Sequence, residues 1–144
     1  MSKKVLLVTD SSTTLVTEQM IVKIFTNHEF VTATDGLQAV ERAIQEKPDL
    51  VLMDVVMPRM NGFEACRRMR LQKGLKKTPI VLVTTRGEEK YVEAGLQSGC
   101  TDYITKPIKC RELLALMHNH LEHGNAPAGD IAHNSCRSRN VAPK

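Results

Sequence analysis

The 144-residue chain has no tryptophan, and its only aromatic residues are three phenylalanines and two tyrosines. So few rings cannot build the stacking platform on which single-stranded nucleic acids are held. Four cysteines, Cys66, Cys100, Cys110 and Cys136, form no Cys-x-x-Cys pair and match no zinc-ligand spacing, so reduced thiols are expected. No run reaches the roughly 18 apolar residues that would cross a bilayer. The opening Met-Ser-Lys-Lys-Val-Leu-Leu-Val-Thr-Asp carries too short an apolar stretch for a signal peptide. A cytoplasmic chain with no membrane insertion is therefore expected. Neither GxxxxGK[ST] nor GxGxxG follows any apolar run, which disfavours a nucleotide-binding module.

Charge of one sign is also scarce. Residues 1–123 hold 17 Lys and Arg against 15 acids, and residues 124–144 hold 3 against 1. That balance is too even to imply direct nucleic-acid contact. The densest basic run, Arg67, Arg68, Arg70, Lys73, Lys76 and Lys77, is expected to be a solvated helix face and connector.

What is present is enough for one folded domain: 42% hydrophobic and 25% charged residues are ordinary for a soluble globular chain of this length. Short apolar runs at Val5–Val8, Phe30–Ala33, Leu50–Met53 and Ile80–Val83, and a fifth at Asp102–Thr105, read as strands. Between and after them lie helical stretches. Ser12 is the expected N-cap of a helix to about Asn27, with Leu15, Met20, Ile21, Ile24 and Phe25 as its apolar stripe. Others span Leu37 to Glu46, Phe63 to Leu71, about Glu88 to Ser98, and about Lys109 to Glu122. Five strands alternating with five helices predict an α/β fold with a parallel sheet covered on both faces. The domain is expected to occupy residues 1–123. Residues 124–144 have few large apolar side chains and no periodicity, and read as a flexible tail. His118, His120 and His123 are expected to be exposed near the last helix end, where they favour its dipole.

Polar residues collect at strand ends: Thr9-Asp10 after the first, Asp54 after the third, Thr84 after the fourth and Lys106 after the fifth. These positions share one edge of the sheet, where open α/β folds bind their ligands. Two carboxylates, a hydroxyl and an ammonium at one crevice suit a Mg²⁺-assisted phosphoryl acceptor. A carboxylate can attack phosphorus, and hard oxygens hold Mg²⁺.

Residues 3 to 122 resemble the receiver domains of two-component response regulators. The segment around Asp54, Met-Asp-Val-Val-Met-Pro-Arg-Met-Asn-Gly, matches the phosphoacceptor motif of that family, and Thr84 and Lys106 follow at its spacing. Tyr103, in Asp102-Tyr-Ile-Thr-Lys-Pro, falls on its switch aromatic. The resemblance implies a flavodoxin-like doubly wound sheet of order 2-1-3-4-5. It also implies that Asp54 accepts a phosphoryl group from a histidine kinase or phosphotransfer protein, with Mg²⁺ held by Asp10, Asp54 and the main-chain carbonyl of Val56. Lys106 would contact the phosphoryl group, Thr84 would move to bond it, and Tyr103 would turn inward. The face formed by the fourth helix, fifth strand and last helix would then change its downstream protein partner. Such a protein assists its own phosphorylation and dephosphorylation and is not a turnover enzyme.

One departure stands out: the family usually has two adjacent acids after the first strand, where this chain has Thr9-Asp10. Weaker Mg²⁺ binding is expected in consequence. A degenerate receiver that acts as an interaction module without phosphorylation is the alternative. Val56 and Arg86 stand where the family tunes acyl-phosphate lifetime. A haloacid-dehalogenase-like enzyme would need a second Asp where Val56 stands. The tail is too short for a helix-turn-helix domain, so a stand-alone regulator is expected.

Overall fold

A computed structural model describes residues 2–85 and 90–122. In chain order the elements are β1 (Lys4–Val8), α1 (Ser12–Phe25), β2 (Glu29–Ala33), α2 (Gly36–Glu46), β3 (Leu50–Asp54) and α3 (Gly62–Arg70). A 3₁₀ turn at Lys73–Leu75 leads to β4 (Ile80–Thr84), α4 (Lys90–Ser98), β5 (Asp102–Thr105) and α5 (Cys110–Met117). The five strands are parallel in the order β2-β1-β3-β4-β5, which is the doubly wound arrangement expected from the sequence.

The strands read as continuous apolar runs because both faces are covered. Successive side chains alternate: Leu6, Val8, Val51, Met53, Ile80 and Leu82 join one core with α2 and α3. Val5, Leu7, Leu50, Leu52, Val81 and Val83 join the other with α1 and α5. Burying a Leu or Val side chain fully is worth about 1.5–3 kcal/mol, so these strands anchor the fold.

Helix ends follow local chemistry. Ser11, one residue before the expected cap, accepts from the Thr14 N–H at the start of α1. Asp35 and Asn61 cap α2 and α3 the same way. Lys47 takes a left-handed conformation that closes α2 before Pro48, and Gly99, with φ +100, follows α4.

Several expectations need correction. The inward side of α1 consists of Glu18, Ile21 and Val22, with Leu15 packed partly against the core. Met20, Ile24 and Phe25 are exposed. The helix carries apolar residues on two faces, and periodicity alone did not decide which packs. His120 is buried, with Nε2 3.5 Å from Oδ2 of the buried Asp102, because a π-helical turn (His118–Glu122) continuing α5 brings His120 and Leu121 inward. His118 is exposed as expected.

Arg70 is not part of a solvated face. Its guanidinium donates to the carbonyl oxygens of Gly99, Leu75 and Thr78 at 2.9, 2.7 and 2.7 Å and to Thr101 Oγ1 at 3.2 Å. It thus ties α3 to the segments that flank β4 and β5. Arg67 and Arg68 do face solvent, each paired with Glu64. The expected start of α4 near Glu88, Arg86, His123 and the tail at 124–144 lie outside the described residues.

Candidate functional site

Parallel register fixes which residues share the carboxyl edge of the sheet. Val8 aligns with Met53, Asp54 with Val83, and Thr84 with Thr105, so Thr9, Asp54, Thr84 and Lys106 all emerge at one rim. The backbone continues the ladder past the strand ends: Thr9 N–H donates to Ala33 O, Val55 N–H to Val83 O, and Lys106 N–H to Thr84 O at 2.7 Å.

Asp54 is the centre of this rim and is only 3% exposed. Its Oδ2 accepts from Thr9 Oγ1 at 2.6 Å and from Lys106 Nζ at 3.2 Å. Thr9 Oγ1 in turn accepts from Ser11 N–H at 3.1 Å. Burial pushes the Asp54 carboxyl above the usual carboxylate range. The Thr9 hydrogen bond and the Lys106 charge pull it back, and the negative charge of Asp10 pushes it up again. A hydrogen bond to a charged group contributes about 1.5–3 kcal/mol, so Thr9 is a substantial anchor of the anion.

The loop beneath is equally constrained. Gly62 N–H donates to Val55 O at 2.7 Å, and a Cβ on Gly62 would stand 2.5 Å from the Asp54 carbonyl oxygen. Only glycine lets α3 begin this close behind Asp54.

The remaining expected residues are placed as follows. Asp10 is exposed at the rim, near enough that its charge acts on Asp54. Thr84 is buried at the end of β4, and the Val56 side chain is exposed in the loop after β3. Tyr103, expected to turn inward, is already inward here: it is 6% exposed within the core that includes Leu82 and Met53.

A divalent cation fits the donor set. Asp10, Asp54 and a main-chain carbonyl are hard oxygen donors, and Asp54 Oδ1 is buried with no hydrogen-bond partner. Among the described residues no three acid, histidine or cysteine side chains gather closely enough to hold an ion by themselves. That pattern suits Mg²⁺, which takes one or two carboxylates and completes its octahedron with water and phosphate oxygens.

With this geometry in place, comparison with known proteins is decisive: residues 5–118 match the response regulator receiver domain family. The chain belongs to that family. Among curated relatives, this receiver is 37% identical over 115 residues to the alkaline phosphatase synthesis transcriptional regulatory protein PhoP of Bacillus subtilis, covering 80% of this chain and 47% of PhoP. The chain thus spans about half the length of such relatives. Among solved structures it is similar to the chemotaxis response regulator CheY4 of Vibrio cholerae, with 31% identity, a TM-score of 0.78, and coverage of 84% of this chain and 100% of that one. It is also similar to the receiver domain of the sensor histidine kinase PA1611 of Pseudomonas aeruginosa, which holds a magnesium ion in its active-site cleft. That likeness has 28% identity, a TM-score of 0.76, and covers 83% of this chain and 97% of the other.

One buried acid of this receiver does not stand among the residues expected from the sequence. Glu18, on the inward side of α1, is fully buried, and the charges of Asp54 and Lys106 both act on it. The signal was available: Glu18 lies three residues after Leu15 and three before Ile21, so an acid interrupts an otherwise apolar face.

Proposed function

We propose that Asp54 of this receiver accepts a phosphoryl group from the phosphohistidine of a histidine kinase or phosphotransfer protein. The observation that carries this reading is the buried Asp54 carboxylate, held through one oxygen by Lys106 at 3.2 Å and Thr9 at 2.6 Å. An Asp54 oxygen attacks phosphorus and the O–P bond forms as the P–N bond breaks. The donor imidazole leaves with the bonding pair and takes up a proton. Each pair of like unit charges about 4 Å apart costs roughly 4 kcal/mol at an effective dielectric near 20. Lys106 offsets that cost at the acceptor. Mg²⁺, when bound by Asp10, Asp54 and the Val56 carbonyl, would neutralise further phosphoryl charge.

The acyl phosphate then serves as a switch. The Thr84 hydroxyl is the group on β4 that can turn to bond the phosphoryl oxygens. The Lys106 N–H bond to the Thr84 carbonyl links β4 to the end of β5. Tyr103 on β5 lies inward in the core, and phosphorylation would act by shifting populations between arrangements of β4 and β5. The output surface is the face formed by α4, β5 and α5, where Leu96 offers an exposed apolar side chain to a downstream protein. The chain acts as a phosphoacceptor that assists its own phosphorylation and dephosphorylation, not as a turnover enzyme. No helix among the described residues is long and apolar enough to cross a membrane. A cytoplasmic site of action is part of this proposal, as is output through a partner protein with no direct nucleic-acid contact.

The alternative, a receiver that works unphosphorylated, draws on Thr9 standing where the family has an acid. Incubation with acetyl phosphate, with and without Mg²⁺, followed by intact-mass measurement separates the two. An added phosphoryl mass that requires Mg²⁺ and is absent from Asp54→Asn supports phosphoacceptance. No added mass on the wild-type chain sinks it and leaves the interaction module.

A further inference from the structure

At the end of the sheet opposite the Asp54 rim, an open cavity of about 630 Å³ is bordered by Lys3, Lys47, Lys73, Lys76 and Lys77. It lies at the amino end because Lys3, Asp49 and Pro79, which immediately precede β1, β3 and β4, all line it. Like charges gathered round one cavity repel each other, and the field they focus there favours an anion. The ammonium groups of Lys3, Lys47, Lys73 and Lys77 pair with no carboxylate among the described residues. Lys76 is partly engaged, with Nζ 3.4 Å from the Arg70 carbonyl oxygen. The acid in the wall, Asp49, turns Oδ2 to the Lys4 main-chain N–H at 2.9 Å.

Charge alone would describe any solvated connector, but two features of the backbone set this one apart. The segment that carries Lys73, Lys76 and Lys77 is clamped: Arg70 donates to the carbonyl oxygens of Leu75 and Thr78 at 2.7 Å each, and Val51 N–H donates to Pro79 O at 2.9 Å. Lysines on a fixed loop lose less freedom on meeting an anion than lysines on a free one. Lys47, in turn, stands at φ 48, the left-handed position after α2 where glycine or asparagine is the less costly residue. Its Nζ reaches over the 3₁₀ turn, 3.9 Å from where a Cβ on Gly74 would stand. The fold therefore accepts a conformational cost at position 47 and sets a cation beside those of the turn.

The chemistry of the walls selects the ligand. Small-molecule sites enclose roughly 300–1,000 Å³, and this cavity falls within that range. Lysine meets phosphate oxygens as a point charge. The lysines come from three separate segments, so a linked anion can meet several at once where a single phosphate cannot. Among the described residues no phenylalanine or tyrosine lines the cavity, so no ring is placed to stack on a base. We propose that this cavity binds a short chain of two or three linked phosphates, carried as free polyphosphate or on a nucleotide.

The test is calorimetric titration of the full chain, in low salt without Mg²⁺, with tripolyphosphate, ATP, orthophosphate and a single-stranded oligonucleotide. Wild type is compared with Lys47→Gly, with the double variant Lys47→Gln and Lys73→Gln, and with Arg67→Gln and Arg68→Gln, which removes equal charge from the solvated face. Tripolyphosphate and ATP should each saturate one site, with orthophosphate at least about tenfold weaker. The lysine double variant should lose about tenfold in affinity, and the arginine control less than about twofold. Lys47→Gly should bind more weakly while resisting urea at least as well as wild type, a combination that a lysine kept only to end α2 would not give. Equal affinity for tripolyphosphate and ATP assigns the site to the phosphates alone, and ATP at least about tenfold tighter assigns it to a nucleotide; both support the cavity. No saturable binding, equal losses in the lysine and arginine variants, or an oligonucleotide that outcompetes tripolyphosphate overturns the proposal. Asp54 lies at the far end of the sheet, so any of these failures leaves the phosphoacceptor reading standing.

Discussion

Replacing Glu18 by leucine should change how stability depends on pH, and by an amount the structure sets. The Glu18 carboxyl is pushed up to about 9 from 4.5, first by burial and then by the negative charge of Asp54, with Lys106 acting the other way. Below about 4.5 both folded and unfolded chains hold this proton, and stability does not depend on it. As pH rises from about 4.5 towards 9, the unfolded chain has lost the proton and the native chain keeps it, so wild-type stability falls. At about 1.4 kcal/mol per pH unit, the loss between about pH 5.5 and about pH 8 is about 3 kcal/mol. Leucine removes that slope. It also removes an unsatisfied buried polar group, which costs about 1–3 kcal/mol even when neutral. Urea unfolding of both proteins at the two pH values measures the difference directly. Asp54, whose carboxyl is also raised, adds a slope of the same sign to both proteins and cancels in the comparison. Parallel stability profiles for wild type and Glu18→Leu across this range would refute the reasoning.

Other perturbations bear on the frame and the site. Arg70→Ala should destabilise the fold by about 2–4 kcal/mol, since it strips hydrogen-bond donors from three carbonyls and Thr101; Arg67→Ala, at an exposed pair, should cost under about 1 kcal/mol. Denaturant midpoints of the two variants check this contrast. Thr9→Val removes a hydrogen bond that lowers the Asp54 pKa, so the midpoint below which phosphorylation by acetyl phosphate fades should move to higher pH. An unmoved midpoint in the rate profile would count against Thr9 as the anchor of the anion. Gly62→Ala should cost about 1–3 kcal/mol and reduce phosphorylation, because its Cβ would stand 2.5 Å from the Asp54 carbonyl oxygen. Thermal unfolding with the intact-mass assay reads both effects.

How much could be read from the chain alone differed by residue. The strands were legible because a sheet covered on both faces needs unbroken apolar runs, and Leu50 to Met53 is such a run. The rim was legible for a related reason: Asp54, Thr84 and Lys106 each end a run, and parallel strands bring such ends together. Long-range pairings were not. His120 reads as a helix-end histidine until β5 brings Asp102 beside it, and Arg70 reads as one of several solvated cations until the nearby carbonyls of Leu75 and Thr78 and the distant acceptors of Gly99 and Thr101 converge on it. Apolar periodicity also misassigned Met20, Ile24 and Phe25, since α1 has two apolar faces and only one meets the sheet. Glu18 is harder to read, because an isolated acid in a helix is ordinarily solvated, and its spacing from Leu15 and Ile21 outweighs that expectation only once that face is known to be the buried one.

Borohydride trapping tests the central claim most directly, because it reduces an aspartyl phosphate to homoserine and marks the residue that carried it. After acetyl phosphate and Mg²⁺, tandem mass spectrometry should find homoserine at position 54, and none when the donor is omitted or Asp54 is replaced by asparagine. An unmarked Asp54, or a mark at Asp10 instead, would contradict the account.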